Sequence, residues 1–524
     1  MKTYSLLVLA FFLYTNFAEA QLPTYAGLPD STQVLVVYNS LSDSSRAVMN
    51  YYKNARGIPD INIVPLDELE NKTISYEGVD HLVVIDDYPH QFELIKDKTN
   101  EFPGSSTPTI HAWIYFNDYI VKPIRSALIT RFVNGVPLKD IIRYIVICQD
   151  VPFKLQTTAD WANPTDNGIV LSTGIDGLLT FISKSFANPD YFITDFTTYK
   201  TFSNPYFNAD ECYSLEYRFL PYHFVNGLDT LSYLVSRLAG PSYSDIIGMI
   251  DRSTHPTMSG NGSWVIDNCL SAVGDDDMIK SNELLRSIDL TVRYDSTNYS
   301  IIIPSSDSVM CYTSPGTHHP GFNSDYLRHL NFNYQNGAVI NTFESFNGNS
   351  LQYPDVRRAS QGLIAEFIMT GGTGGIAHAY EPGVIVADSI FFPAYSLGYN
   401  FVDAAYLGMS WVGRQNIVIG DPLLRIRDFC ADTLTTDEII TSSNIECAIY
   451  VPPGRTLTIA SGSNINFIKN AHLKVDGNLI IEENSTVNFY GFSCFIVNNS
   501  LIVAANSSLN FLDFNRAIIS GIFI

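Results

Sequence analysis

Gly337-Ala-Val-Ile-Asn-Thr-Phe-Glu-Ser-Phe-Asn-Gly348 is an apolar, β-branched run that stops at a Glu-Ser pair and a turn. Such a run reads as a buried strand of a parallel sheet feeding a loop. In open α/β sheets, ligands and chemistry collect just beyond the carboxyl ends of strands, so Ser345 stands where a nucleophile is expected. The pattern repeats outward from this strand. Gln33-Val-Leu-Val-Val-Tyr38, His81-Leu-Val-Val-Ile85, Asp140 to Cys148, Ser300 to Ile303 and Gly375 to Ala379 read as further strands. Arg46 to Arg56, closed by Gly57 and Pro59, and Ser360 to Thr370, stopped by Gly371-Gly372, read as helices between them. From about residue 30 to 428 the alternation predicts an α/β domain, a mostly parallel sheet with helices on both faces. Residues 156–230, rich in Tyr, Phe and Asn, interrupt the rhythm and are expected to form loops over one end of the sheet.

Beyond residue 447 the regime changes. Leu457-Thr-Ile-Ala-Ser-Gly-Ser-Asn-Ile-Asn-Phe467 recurs at Leu479–Phe489 and at Leu501–Phe511, 22 residues apart each time. Apolar alternation, polar corners and a fixed period of this size predict a small β-solenoid over 448–524, joined to the α/β domain by a linker at 429–447. Stacked Asn466 and Asn488 are followed by Phe467 and Phe489, which offers two alternatives: inward Asn ladders that stabilise the coils, or an outward aromatic stripe that stacks sugars.

The chain begins as a secretory signal does, over residues 1–20. Lys2 is basic, Leu6 to Tyr14 apolar, and Ala18-Glu-Ala20 a cleavage pattern. No later run approaches the roughly 20 apolar residues a membrane span needs. The expectation is an exported, extracellular protein, with six glycosylation sequons at Asn71, Asn261, Asn298, Asn484, Asn498 and Asn506. Seven cysteines are an odd number for an oxidising compartment; Cys430 and Cys447, bracketing a polar segment, are the expected disulfide, and Cys148 a buried thiol. A net charge of −22 argues against nucleic acid and anionic membranes as partners.

Two groups of segments carry a resemblance beyond pattern. Cys311-Tyr-Thr-Ser-Pro-Gly316, Asn341 to Gly348 and Asn416-Ile-Val-Ile-Gly-Asp-Pro-Leu-Leu-Arg425 resemble landmarks of the gingipain-type cysteine peptidases, relatives of caspases. In that family a Tyr-Thr-Gly-His-Gly strand end supplies the histidine, and a Cys before x-Asn-Gly the nucleophile. Laid onto this chain, the His position falls on Pro315 and the Cys position on Ser345, so the resemblance implies the fold without its dyad. A longer resemblance is to a family of secreted, largely bacterial proteins related to that clan. It is carried by Val34 to Ser40 with Ser42-Asp43-Ser44, Tyr51 to Pro59, Ile142 to Val146, Asp150 to Lys154, Tyr233 to Pro241, Tyr380-Glu-Pro382 and Gly420-Asp-Pro422. The acidic residue that family carries near Ala239 is missing here. The family implies a caspase/gingipain-like domain over 21–428 and brings no established activity.

The candidate chemistry follows. Ser345 would replace the thiol only with a base in reach, because an unassisted hydroxyl is a poor nucleophile. His318 and His319 follow Pro315, His378 ends the next strand, and Glu344 adjoins the serine. The plainer alternative is that Glu344-Ser345 hydrogen-bonds its own turn while the histidines lie in surface loops. Asp86, Asp87, Asp150, Asp176 and Glu381 lie at or near expected strand ends, where convergence would allow acid–base hydrolysis or hold Ca²⁺. No zinc spacing of the Cys-x-x-Cys or His-Glu-x-x-His kind occurs, and no cofactor motif. The leading expectation is a non-catalytic extracellular protein whose solenoid binds glycans or proteins; the rival is a secreted hydrolase using Ser345 or clustered carboxylates.

Overall fold

The computed structural model describes residues 28–524 apart from 86–91, 101–109, 157–171, 195–201, 205–206, 208–232, 259–260, 271–272, 354, 356–360, 383–385, 413–414, 429–430, 469–470, 491–492 and 513–515. At its centre lies a ten-stranded sheet. Its spatial order is Val292–Asp295, Ser263–Asp267, Ser308–Ser314, Asn333–Thr342, Gly374–His378, Asn416–Ile419, Leu234–Leu238, Tyr144–Cys148, Val34–Asn39 and Ile63–Leu66. Neighbours are parallel except Gly374–His378 against Asn416–Ile419, which is antiparallel. Two five-stranded parallel halves therefore run in opposite directions, and their carboxyl ends lie at opposite edges. The sequence reading of one mostly parallel sheet holds within each half and omits this reversal, because a buried apolar run has the same composition in either direction.

Alternation along Val34-Leu-Val-Val37 sends Val34 and Val36 into one core and Leu35 and Val37 into another, so both faces are covered. On the first face lies the helix Asp43–Arg56, capped by the Ser42 hydroxyl accepting from the Ser45 N–H and ended by Gly57 at φ +65°. Trp113, Phe116, Ile124 and Leu128, from helices Ile110–Phe116 and Lys122–Thr130, cover the second.

Three expectations change. The strand expected at His81–Ile85 is Val79–Val84, and it belongs to a separate five-stranded sheet ordered Ser172–Gly174, Lys154–Gln156, Leu94–Asp97, Val79–Val84, Lys72–Tyr76. Ser300–Ile303 is not a strand: Ile302 is 89% exposed, and Pro304 follows within a connection between Val292–Asp295 and Ser308–Ser314. Much of the 156–230 insertion lies outside the described residues. Its described part is not simply loops, because short helices deliver Leu178, Leu179 and Phe192 into the second core, joined there by Ile182 from the turn between them.

After residue 430 the strands form three parallel sheets. Leu457, Leu479 and Leu501 lie in register, as do Asn444, Asn466, Asn488 and Asn510, each 22 residues from the next. The segment expected as a linker already carries the first strand of each sheet, Ala431–Thr433, Glu438–Ile440 and Ser443–Ile445. Phe467 and Phe489 are buried and stacked 4.5 Å apart at 6°, whereas Asn464 is exposed and Asn466 half-buried. The aromatic stripe thus points inward and the Asn ladder outward, the reverse of both alternatives drawn from the sequence. Ala448 and Tyr450 pack into the core of the α/β region. Residues 1–20 lie outside the described residues, and no described helix is long and apolar enough to cross a membrane. All six sequon asparagines are exposed. Cys148, Cys269 and Cys311 are buried free thiols. Cys447 is not free, and Cys430 lies outside the described residues.

Candidate functional site

The strand Asn333–Thr342 is buried from Gly337 onward and ends where the sequence reading places it. Its turn is held by the backbone. The Phe343 N–H donates to the Ser314 carbonyl, Phe346 N–H to Tyr380, and Gly348 N–H to His378. Phe346 takes a left-handed backbone at φ +58°, unfavourable for a residue with a side chain, and these bonds hold it there. Gly348 lies so close to the next strand that a Cβ would stand 3.1 Å from that of Ala377. Asn347 clamps the turn, its amide donating to the Thr342 hydroxyl at 3.0 Å and its carbonyl accepting from the His378 N–H at 2.7 Å.

Glu344 is a strut. One carboxylate oxygen accepts from the Thr317 N–H at 2.9 Å and the Gly362 N–H at 3.0 Å; the other accepts from the Tyr326 hydroxyl at 3.0 Å. Burial pushes its carboxyl up, and the backbone donors pull the other way. Gly316, at φ +61°, leaves the room it occupies, since a Cβ there would meet the Glu344 carboxyl carbon at 1.8 Å. Glu344 therefore ties together the strand end, the 316–318 turn and the segment at Gly362.

That frame opens a cavity of about 390 Å³ lined by Ser345, His318, His378, Glu381, Glu344, Thr342, Phe343, Val273, Pro382 and Val386. Five of the sequence candidates thus meet. His318 is exposed at the end of a short 3₁₀ turn. His378 is buried, and its ring is oriented by a residue the sequence reading missed. Asn416 donates its Nδ2 to the Trp411 carbonyl at 3.0 Å, which turns its Oδ1 to His378 Nδ1 at 2.9 Å. That nitrogen must carry the proton, leaving Nε2 as the lone-pair atom. Burial pulls the His378 pKa down to about 4, with Asn416 and Glu381 opposing. Neither histidine is hydrogen-bonded to the Ser345 hydroxyl among the described residues.

The other candidates lie elsewhere. His319 is buried, stacked on Phe322, and accepts the Gly321 N–H at Nδ1. Its Nε2 lies 3.8 Å from Asp267, beyond hydrogen-bond distance; burial holds the imidazole down and pushes the Asp267 carboxyl up to about 7. Asp150, at φ +64°, accepts from the Ser42 hydroxyl and, through its carbonyl, from the Asn39 amide. Asp176 is fully buried in a bidentate pair with Arg237, whose remaining donors reach the Val151 and Pro152 carbonyls. Among the described residues the candidate carboxylates therefore do not converge on one cleft. Asp150 lies outside the cavity that Ser345 and Glu381 line and is bonded to Ser42 and Gln352, while Asp176 is consumed by Arg237. Asp86 and Asp87 lie outside the described residues.

No protein-family model and no curated protein matches the chain. Among solved structures it is similar to the Arg-specific cysteine proteinase gingipain R, at 10% identity over 80% of this chain and 85% of that one, with a TM-score of 0.36. A complex of Porphyromonas gingivalis RgpB pro- and mature domains matches at 12% identity over 78% and 84%, with a TM-score of 0.33. A further protease structure matches at 9% identity over 78% and 83%, with a TM-score of 0.38. Likenesses at this level assign no activity to this chain.

Proposed function

We propose that this chain is a secreted extracellular protein that uses a peptidase-like scaffold to bind rather than to cleave, with the Ser345 cavity as its ligand site. The observation that carries this reading is that neither cavity imidazole is hydrogen-bonded to the Ser345 hydroxyl among the described residues, the inner one being His378. It is the buried imidazole on the cavity wall beside Ser345, yet burial pulls it to about 4. A general base works best near the operating pH, and an imidazole that weak retains little of a serine proton at neutral pH. The hydroxyl, two imidazoles and the Glu381 carboxylate instead offer hydrogen-bonding partners to a polar group of an extracellular glycan or protein. In this reading the C-terminal parallel sheets are coils of a β-solenoid that presents an outward Asn ladder. Cys430–Cys447 then closes its junction with the α/β region, and its exposed sequons carry glycans that keep strand edges apart.

The second reading is a secreted hydrolase. Asn416 favours it, because a side chain that fixes the imidazole tautomer leaves Nε2 to take the Ser345 proton, the arrangement an activated nucleophile needs. One experiment separates the two: label the secreted protein with a serine-reactive phosphonate probe, in wild type and Ser345→Ala. Equal labelling supports the binding reading. Labelling that disappears in Ser345→Ala overturns it in favour of the hydrolase.

A further inference from the structure

Away from this cavity, the smaller sheet carries a cluster that neither reading uses. His81 lies on Val79–Val84, Asp97 ends the neighbouring antiparallel strand Leu94–Asp97, and His111 sits in the first turn of the helix Ile110–Phe116 packed on that sheet. His81 Nδ1 is 2.7 Å from Asp97 Oδ2, and His111 Nδ1 is 3.9 Å from the same oxygen. One donor atom from each residue lies within 4.8 Å of the others. Asp97 is fully buried, His111 is 5% exposed, and His81 opens to solvent.

The bonding around the cluster sets its charge. His111 Nε2 lies 3.1 Å from the Val79 carbonyl, which can only accept, so Nε2 carries the proton and Nδ1 presents a lone pair. That lone pair faces a buried carboxylate. A proton on His81 accounts for its short contact with Asp97 but leaves two electron-rich atoms, His111 Nδ1 and Asp97 Oδ2, facing each other. A cation between them removes the conflict. The surrounding bonds are those that metal ligands receive from their neighbours: the His111 N–H goes to a backbone carbonyl, and the second Asp97 oxygen accepts the Thr99 N–H at 3.0 Å.

We propose that His81, Asp97 and His111 form a three-ligand site for a divalent d-block cation of the zinc type, its remaining position open to water. Two imidazoles and one carboxylate suit such an ion, whereas Ca²⁺ takes oxygen ligands. The two rings are stacked with centroids 3.7 Å apart and 18° between planes. Both lone pairs cannot aim at one ion from that stack, so binding turns the more exposed His81 ring outward, away from His111. The site bridges two strands and a helix, and occupancy fastens the helix to the small sheet.

The test uses the full-length protein with Co²⁺ as the spectroscopic probe and Zn²⁺ as competitor, in wild type, His81→Ala, His111→Gln and, as a control on an exposed histidine elsewhere, His329→Ala. The expected result is one Co²⁺ per chain with visible ligand-field bands, displaced by Zn²⁺. Affinity should fall roughly tenfold or more in His81→Ala and His111→Gln and stay unchanged in His329→Ala. His81→Ala decides the matter if the buried His111 variant fails to fold, because the His81 side chain is partly solvent-exposed. Binding that is absent in wild type, or equal in wild type and His81→Ala, overturns the proposal and leaves a His81–Asp97 hydrogen bond.

Discussion

In the C-terminal strands each rung repeats the one before it. Asn466, Asn488 and Asn510 each donate an amide hydrogen to the carbonyl of the Asn one repeat earlier, at 2.8–2.9 Å, while Phe467, Phe489 and Phe511 stack beneath them. Around the ten-stranded sheet the buried polar contacts are single arrangements: Arg237 with Asp176, His378 with Asn416, Glu344 with two backbone N–H groups and the Tyr326 hydroxyl. Repetition spreads stabilisation over equivalent positions, and no single rung is made special by it. Singular buried contacts concentrate it, and they are also what shapes a cavity. The singular contacts, and the cavity they frame, therefore lie in the α/β region.

The sharpest way to break this comparison is to unpair one singular contact. Asp176→Ala leaves the Arg237 guanidinium buried without its counter-charge. The expected cost is about 3–5 kcal/mol, read by denaturant unfolding. If stabilisation in the α/β region were as distributed as in the repeats, the loss would stay under about 1 kcal/mol. In the repeats, Phe489→Ala removes a ring stacked on both sides and should cost about 3 kcal/mol. Limited proteolysis should place the damage beyond residue 450 while the α/β region stays resistant. Loss of both together would show that Ala448 and Tyr450, packed in the α/β core, couple the two regions tightly.

A pH experiment isolates another singular contact. Burial raises the Asp267 carboxyl to about 7, against an unfolded value near 4, so the folded chain holds a proton there that the unfolded chain has lost. Stability from this group is present below about pH 4 and is lost as pH rises through 7, at most about 4 kcal/mol. Asp267→Asn should flatten that slope and be the more stable protein at pH 8. A wild-type stability that does not fall between pH 5 and 8 relative to Asp267→Asn would remove the argument.

How much of this was legible in the sequence follows the same division. The 22-residue period was plain, and the parity of Ile465-Asn466-Phe467 already put Ile and Phe on one face, so the inward aromatic stripe was readable from alternation. The strand leading to Ser345 was readable too, because a buried run ending in polar residues has one local meaning. Asn416 was not: it meets His378 only through the antiparallel pairing of strands 38 residues apart, and nothing in an apolar run encodes its direction. The scatter of the carboxylates had the same cause. Asp150 is held by Ser42 across 108 residues and Asp176 by Arg237 across 61, pairings that linear order does not encode.

The smallest expected effect tests the repeats from within. Asn488 sits mid-ladder, donating to Asn466 and accepting from Asn510, whereas Asn510 makes only the first kind of bond along the ladder. A net hydrogen bond between such half-buried amides contributes about 1 kcal/mol or less. Asn488→Ala should therefore cost about 1–2 kcal/mol, and Asn510→Ala about half of that, read as shifts in the denaturation midpoint of the C-terminal region. If a ladder polarises along its length, the middle substitution will cost more than twice the end one. A ratio of two would mean that the rungs act as isolated pairs, and the repeated region would then resemble the α/β region in gaining its stability contact by contact.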